Sequence, residues 1–142
     1  MLSQTAEYAL RAMVSLATAL GKPRTAQELA ADSKVPLDYL SKVLNSLTRA
    51  GIVTSQRGRG GGFQSVQPAS QLTVLEVVSA VDAIKRIKSC PLGLKAHANQ
   101  LCPLHSKLDE AARSVEEAFA ATTIQSLVGE SFCEGGNCRA AA

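Results

Sequence analysis

The apolar residues of this 142-residue chain change period at Gly51, and that change limits the folds open to it. Up to Gly51 they recur three and four apart, and beyond it they alternate with polar residues. Leu10, Met13, Ala17 and Leu20 predict a first helix over about 3–20, stopped by Gly21 and Pro23. Thr25-Ala-Gln-Glu28 has the spacing of a capping box: the threonine oxygen accepts from an orphan amide and the glutamate reaches back. It predicts a short helix to about Ser33. Pro36 then opens a third helix, about 37–50, with Leu40, Val43, Leu44 and Leu47 on one face and Gly51 at its end. Ile52–Gln56 and Phe63–Val66 read as paired strands, joined by the tip Arg57-Gly58-Arg59-Gly60-Gly61-Gly62. Three helices followed by a hairpin is the order of a winged helix-turn-helix.

The second half is helical again. Thr73-Val-Leu-Glu76 is another capping box, opening a helix with Leu75, Val78 and Val81. Residues 85–101 show no sustained period and read as a loop. Pro103 starts a long helix in which Leu104, Leu108, Ala111, Val115, Ala118 and Thr122 alternate four and three apart. Such a heptad seam serves a helix that pairs with a second copy, or one that packs on its own domain. The expected fold class is therefore mainly α: a winged helix-turn-helix DNA-binding domain plus a long C-terminal dimerisation helix. The expected segments are 1–84 for the DNA-binding domain, 85–102 for a Cys/His sensor loop, 103–128 for the dimerisation helix and 129–142 for a flexible tail.

Charge is unevenly spread. Residues 1–70 hold eight Lys/Arg and four Asp/Glu, whereas 71–142 hold seven and eight, so the net +3 comes from the first half. No acid lies between Asp38 and Glu76, a stretch that carries Lys42, Arg49, Arg57 and Arg59. A local field of this kind suits a polyanion. The face of the third helix opposite its leucines presents Asp38, Tyr39, Lys42, Asn45, Ser46 and Arg49. Lys and Arg pair with phosphates or guanine edges, and Asn pairs with adenine. Arg57 and Arg59 at the hairpin tip suit a minor groove, and the glycines between them let backbone approach phosphate closely. The glycine run is not a nucleotide loop, because neither Gly-Lys-Ser/Thr nor a helix follows it.

The chain's 46% hydrophobic and 19% charged residues argue against disorder. It has no apolar run of membrane-spanning length and no secretory-type start, so a cytoplasmic protein without a membrane partner is expected. The four cysteines, Cys90, Cys102, Cys133 and Cys138, are then expected as reduced thiols or metal ligands rather than structural disulfides. An enzyme is the least supported class: no residue is identifiable to orient a Cys–His pair. A metal carrier or a protein-interaction module is a further alternative, distinguished from a DNA binder by weak salt dependence.

Glu7-Tyr-Ala-Leu-Arg11, Val35-Pro-Leu-Asp-Tyr-Leu40, Arg57-Gly-Arg-Gly-Gly-Gly-Phe63, Leu75-Glu-Val-Val78 and Cys90…Cys102-Pro-Leu-His105 together resemble the IscR/NsrR-like family of winged-helix regulators. The resemblance covers about residues 1–125. It implies a homodimeric transcription factor, usually a repressor, that grips a pseudo-palindromic double-stranded operator and senses iron–sulfur status, nitric oxide or redox state. It carries over Leu37 to Lys42 as reader positions and Arg57 to Gly62 as wing positions, with Tyr39, Arg59 and Gly60 the closest matches. Ser41 stands where some relatives place an acidic residue that selects bases.

Cluster-binding relatives place three cysteines six apart, some with a histidine three after the last. Here the pattern is Cys90, Ala96, Cys102, His105, so the middle thiolate is missing. The resemblance implies a [2Fe–2S] cluster on Cys90, Cys102 and His105, with Glu7 of the partner subunit as a fourth ligand; His97, Cys133 and Cys138 are further candidates. A cluster-free thiol sensor, using Cys102 at the start of the long helix, is the competing reading, and inert remnants of a lost site are the third.

Overall fold

The capping signals place the helix starts. In the computed structural model, which describes residues 2–88 and 102–129, the elements run α1 (Gln4–Thr18), α2 (Ala26–Ser33), α3 (Leu37–Arg49), β1 (Val53–Gln56), β2 (Gly62–Ser65), α4 (Val74–Asp82), α5 (Pro103–Ala121) and α6 (Ile124–Gly129). Both predicted capping boxes form. The Thr25 hydroxyl accepts from the Glu28 amide at 3.2 Å while the Glu28 carboxylate accepts from the Thr25 amide at 2.8 Å. Thr73 and Glu76 repeat the exchange at 3.3 and 2.8 Å. Each box satisfies amides that a helix start leaves without partners.

One core holds the helices and hairpin of the first half to α4. Ala9, Ala12 and Met13 of α1, Leu29 of α2, and Leu40, Val43, Leu44 and Leu47 of α3 are all but inaccessible to solvent, as are Val77 and Val78 of α4. The alanines on α1 let neighbouring helices approach closely, and α4, α6, α2 and α3 all pack against it. The two strands pair antiparallel, with Val53 opposite Ser65 and Gln56 opposite Gly62. Three helices, a hairpin and a fourth helix in this arrangement form the expected winged helix-turn-helix.

The wing has an edge partner that sequence periodicity does not reveal. Arg24 forms an isolated bridge with Phe63, its amide donating to the Phe63 carbonyl at 2.9 Å and its carbonyl accepting from the Phe63 amide at 2.7 Å. Gly62 lies against that bridge with φ +146°, and a Cβ there would fall 2.5 Å from the Arg24 carbonyl carbon. Part of the glycine run thus serves the sheet itself rather than any ligand.

The long helix differs from expectation. The segment 103–128, expected as one helix, breaks after Ala121, where Thr122 takes extended angles and Thr123 bridges Thr73. Ile124 then opens α6, its amide donating to the Leu72 carbonyl at 2.9 Å and its side chain wholly buried in the winged-helix core. The β-branched Thr122-Thr123 pair suits an extended bridge better than a helix interior, and the tertiary contact decides the break.

Within this chain α5 is only half covered. Its positions 105, 109, 112, 115, 116 and 119 are partly buried, and Phe119 packs against the core. Leu104 and Leu108 of the heptad seam face outward, 65% and 49% exposed. Cys90, Ala96, His97, Cys133 and Cys138, and the tail expected from 129 apart from Gly129, lie outside the described residues.

Truncating Ile124 to alanine is expected to cost about 2–5 kcal/mol of unfolding free energy, the usual range for emptying a buried aliphatic site. Urea denaturation followed by circular dichroism measures it, and a loss under 1 kcal/mol contradicts the anchoring role of α6.

Candidate nucleic-acid interface and thiol centre

Burying Leu40, Val43, Leu44 and Leu47 turns the other side of α3 to solvent. Leu37, Asp38, Tyr39, Lys42, Asn45 and Arg49 are exposed there, and Ser46 is half-buried. The Ser46 hydroxyl donates to the Lys42 carbonyl at 3.2 Å and the Ser41 hydroxyl to the Leu37 carbonyl at 3.0 Å, so both keep oxygen lone pairs free to accept. Pro36 caps α3 without a side-chain hydrogen bond, which leaves the first-turn amides open toward solvent. Asp38 makes no capping bond and stands exposed in that turn.

Tyr39 is not a free side chain. Its hydroxyl shares a 2.8 Å hydrogen bond with the Thr5 hydroxyl. Its ring meets Tyr8 edge-on, centroids 5.2 Å apart at 83°. Tyr8 in turn accepts from the Gln4 amide at 2.8 Å and lies under the Arg11 guanidinium, 5.9 Å from ring centre to Cζ. Glu7 holds Arg11 at 2.7 Å. The start of α1 therefore braces the start of α3. Nothing in the local sequence pairs residues 31 or 34 positions apart, so Tyr8 and Thr5 escape a reading by periodicity.

Arg57 and Arg59 stand exposed on the hairpin tip. The tip closes through a 3.0 Å hydrogen bond from the Gly61 amide to the Gly58 carbonyl, with Gly58 at φ +101° and Gly60 at φ +72°. A side chain at Gly61 would collide with the Gln56 carbonyl. Among the described residues, ion pairs engage Arg11, Arg24, Arg86, Lys107 and Arg113, whereas Lys42, Arg49, Arg57 and Arg59 take part in none. The fold keeps four cations of α3 and the hairpin unneutralised, as a phosphate-facing surface requires.

A second group of polar residues gathers at α5. Cys102 is its N-cap: the thiol sulfur accepts from the His105 amide at 3.5 Å and lies 3.0 Å from His105 Nδ1. Pro103 follows at the first helical position. Farther along α5, Arg86 grips Asp109 with two parallel bonds, Nε–Oδ1 at 2.8 Å and Nη2–Oδ2 at 2.7 Å, and reaches Glu116 at 3.1 Å. The Ile87 amide also donates to Asp109, at 2.9 Å. Arg86 beside it, helped by that amide, holds the Asp109 carboxyl down at about 2, below its ordinary value of 3.8. Asp109 and Glu116 push the guanidinium of Arg86 further up in return.

Of the expected cluster ligands, the structure brings Cys102 and His105 together. Glu7 of the same chain is engaged by Arg11 instead, and among the described residues no three His, Cys, Asp or Glu side chains gather at one point.

A winged helix-turn-helix with an unneutralised basic face defines a DNA-binding protein of the transcription-regulator class. The chain matches the Rrf2 family, iron-dependent transcriptional regulators, over residues 2–130, and it belongs to that family. It is similar to an rrf2-like HTH-type transcriptional regulator of Rhodobacter capsulatus, 31% identical over 148 residues spanning 96% of this chain and 95% of that protein. An HTH-type regulator of Aquifex aeolicus is 28% identical over 129 residues, 89% of this chain and 90% of that one. In fold it is similar to CymR, the global cysteine regulator of B. subtilis, at a TM-score of 0.74 and 20% identity, covering 91% of this chain and 96% of CymR. IscR from T. potens gives 0.73 at 20% identity, covering 91% and 86%. The resemblance drawn from the motifs is borne out, and the chain is a DNA-binding transcriptional regulator rather than an enzyme. No helix among the described residues is long and apolar enough to cross a membrane.

Because Asp109 titrates lower folded than unfolded, the unfolded chain binds its proton first as pH falls. Its stabilising effect is present above pH 4 and is lost between about pH 4 and pH 2. Asp109→Asn is expected to flatten the dependence of the denaturation midpoint on pH across that window, and an unchanged slope contradicts the pairing.

Proposed function

We propose that the chain acts as a homodimeric operator-binding regulator, a repressor, whose grip on DNA is set by chemistry at Cys102 and His105. The observation that carries the DNA-binding part is the set of unpaired cations, Lys42 and Arg49 on α3 and Arg57 and Arg59 on the wing, beside the open start of α3. In this reading the first turns of α3 enter the major groove. Leu37, Asp38 and Tyr39 meet bases, with Asp38 suited to a cytosine amine, and Asn45 suits adenine. Lys42, Ser46 and Arg49 hold phosphates, while Arg57, Arg59 and the Gly60 backbone take the minor groove. Thr5 and Tyr8 fix Tyr39 in its rotamer, which lowers the entropy lost on binding.

The exposed Leu104 and Leu108, with Ala111 and Ala118, supply the seam on which a second copy docks. A two-fold dimer of this kind reads a pseudo-palindrome with its two half-sites about one helical turn apart. The segments follow from this division: 1–84 reads DNA, 85–102 senses, 103–128 holds the dimer and rejoins the core through α6, and 129–142 forms a tail.

The soft donor pair of Cys102 and His105 fits an iron–sulfur cluster, with Cys90 as the third ligand and Glu7 of the second copy as the fourth. A bound [2Fe–2S] cluster would supply chemistry sensitive to oxidants and nitric oxide, held by Cys102 and His105 with Cys90. Glu7 is held by Arg11 through Oε1, and that guanidinium lies against Tyr8, which meets Tyr39, so a Glu7 used as a ligand would tie the sensor chemistry to the start of α3. The thiol reading is supported by the same 3.0 Å contact, since an imidazole beside a half-buried thiol suits reversible oxidation without metal. CymR of S. aureus, 24% identical with a TM-score of 0.68, has been solved in an oxidised form. Anaerobic reconstitution read by visible absorption and iron and sulfide content separates the two: a colourless product supports the thiol sensor.

Duplex selection from random sequence with the purified protein is expected to enrich one pseudo-palindrome. On that duplex Arg59→Ala is expected to lose about 1–3 kcal/mol, and Lys42→Ala to reduce the salt slope by about one. No enrichment, or salt-independent binding, overturns the DNA-contact assignment. Leu104→Glu with Leu108→Glu is expected to yield a monomer in analytical ultracentrifugation, and a persistent dimer places the seam elsewhere.

A further inference from the structure

The turn between α1 and α2 carries a leucine that folding alone does not account for. Leu20 has φ +51°, in the left-handed region where a side chain crowds its own backbone, and Gly21 follows at φ +83°. Glycine or asparagine suits such a position better. The Leu20 side chain is 89% exposed, so no burial offsets the misfit. Val66, just past β2, is 56% exposed. Both stand on the rim of one cavity of about 360 Å³, which opens between the end of α1, the end of β2 and the start of α6. Its floor is the winged-helix core itself, through the buried Met13, Leu16, Leu72 and Ile124. Its walls are tied together by hydrogen bonds. The Gln64 side-chain amide donates to the Gly21 carbonyl, the Gln125 amide to the Ala69 carbonyl at 2.9 Å, and the Val66 amide to the Ile52 carbonyl at 2.9 Å. The cavity is therefore preformed, and its volume falls in the range of roughly 300–1,000 Å³ usual for small-molecule sites.

The polar part of the lining has one sign. Lys22 is the cation at the rim, and no aspartate or glutamate lines the cavity. Among the described residues Lys22 takes part in no ion pair, and the side-chain amides of Gln67 and Gln125, which also line the cavity, have no hydrogen-bond partner. An ammonium offers three donors and no acceptor, and each free amide adds two more donors. We propose that this cavity binds a small aliphatic monocarboxylate. Its hydrocarbon tail lies on the floor of Met13, Leu16, Leu72 and Ile124. Leu20 and Val66 cover the tail from the rim, which gives the exposed leucine something to bury against. The carboxylate points outward to the Lys22 ammonium, with the Gln67 and Gln125 amides beside it. A single cation suits a single negative charge, and an amine of the same length meets repulsion there. The cavity lies at the opposite end of α1 from Thr5 and Tyr8, away from the contacts that brace Tyr39. The site stands whether or not α3 reads DNA.

The experiment titrates the full-length, isotope-labelled protein with sodium octanoate and follows backbone amides by NMR. Octylamine hydrochloride and sodium acetate serve as the controls for charge and for tail. Octanoate is expected to shift the amides of Gly21, Lys22, Val66 and Gln125 along one saturable curve. Octylamine is expected to bind at least about fivefold more weakly, and acetate to leave the same amides unmoved. Lys22→Met is expected to weaken octanoate up to about fivefold, the upper end for an exposed charge pair. Leu20→Asn is expected to weaken it about three- to tenfold through lost apolar cover, without lowering the thermal midpoint, because asparagine tolerates the left-handed backbone. Ala17→Phe, which places a ring in the cavity, is expected to abolish binding. Where that variant fails to fold, Leu20→Asn still decides, since its side chain lies outside the core. No saturable shift with octanoate, equal affinity for octylamine, or Lys22→Met and Leu20→Asn that both match wild type overturns the site. Shifts of these amides that follow protein concentration alone, with or without octanoate, assign the face to a second copy of the chain and overturn it as well.

Discussion

Everything in this molecule leans on one amphipathic helix. α3 has four side chains, Leu40, Val43, Leu44 and Leu47, buried almost completely against α1, α2 and α4. At roughly 1.5–3 kcal/mol for each large aliphatic side chain taken from water, no rotation of α3 about its axis competes with this one. The opposite face is thereby committed to solvent, together with its lysine, asparagine and arginine. Burial, not any property of the polar residues themselves, decides that they face outward.

The braces around α3 act in the same direction. The hairpin follows directly from its C-terminus and carries Arg57 and Arg59 beyond it. Arg24 extends the hairpin on one edge and pairs with Asp32 of α2, which also accepts from the buried Ser15 hydroxyl of α1 at 3.3 Å. Thr5 and Tyr8 hold Tyr39 at the other end. These contacts fix Tyr39 and the hairpin frame, and a side chain ordered beforehand loses less entropy when it is bound.

The C-terminal half uses a different principle. α5 carries no fully buried residue of its own. It is held at its C-terminal end by Phe119 and the α6 turn, and along its length by the charged grip of Arg86. Such a helix, attached at one end and by ion pairs elsewhere, is easier to shift than α3. That division leaves the exposed face of α3 rigidly placed and α5 the more movable of the two helices.

Much of the winged helix was legible in the residues, because its information is local. Thr25 with Glu28 and Thr73 with Glu76 mark helix starts within a span of four residues, and the leucine spacing of α3 marks its buried face. The change of period at Gly51 and the glycine-rich tip mark the hairpin. The family resemblance named Cys102 and His105 together, and the cap at the start of α5 brings the two side chains into contact. What the tertiary structure alone decided involves partners far apart in sequence: Arg24 against Phe63, Tyr39 against Thr5 and Tyr8, Arg86 against Asp109, and Ile124 against the core. The long helix was read through to 128 because its composition allows it. It stops at 121 because burying Ile124 and bridging Thr123 to Thr73 outweigh one more turn of helix. Periodicity records which face of an element is apolar, and it holds no record of which distant element will cover that face.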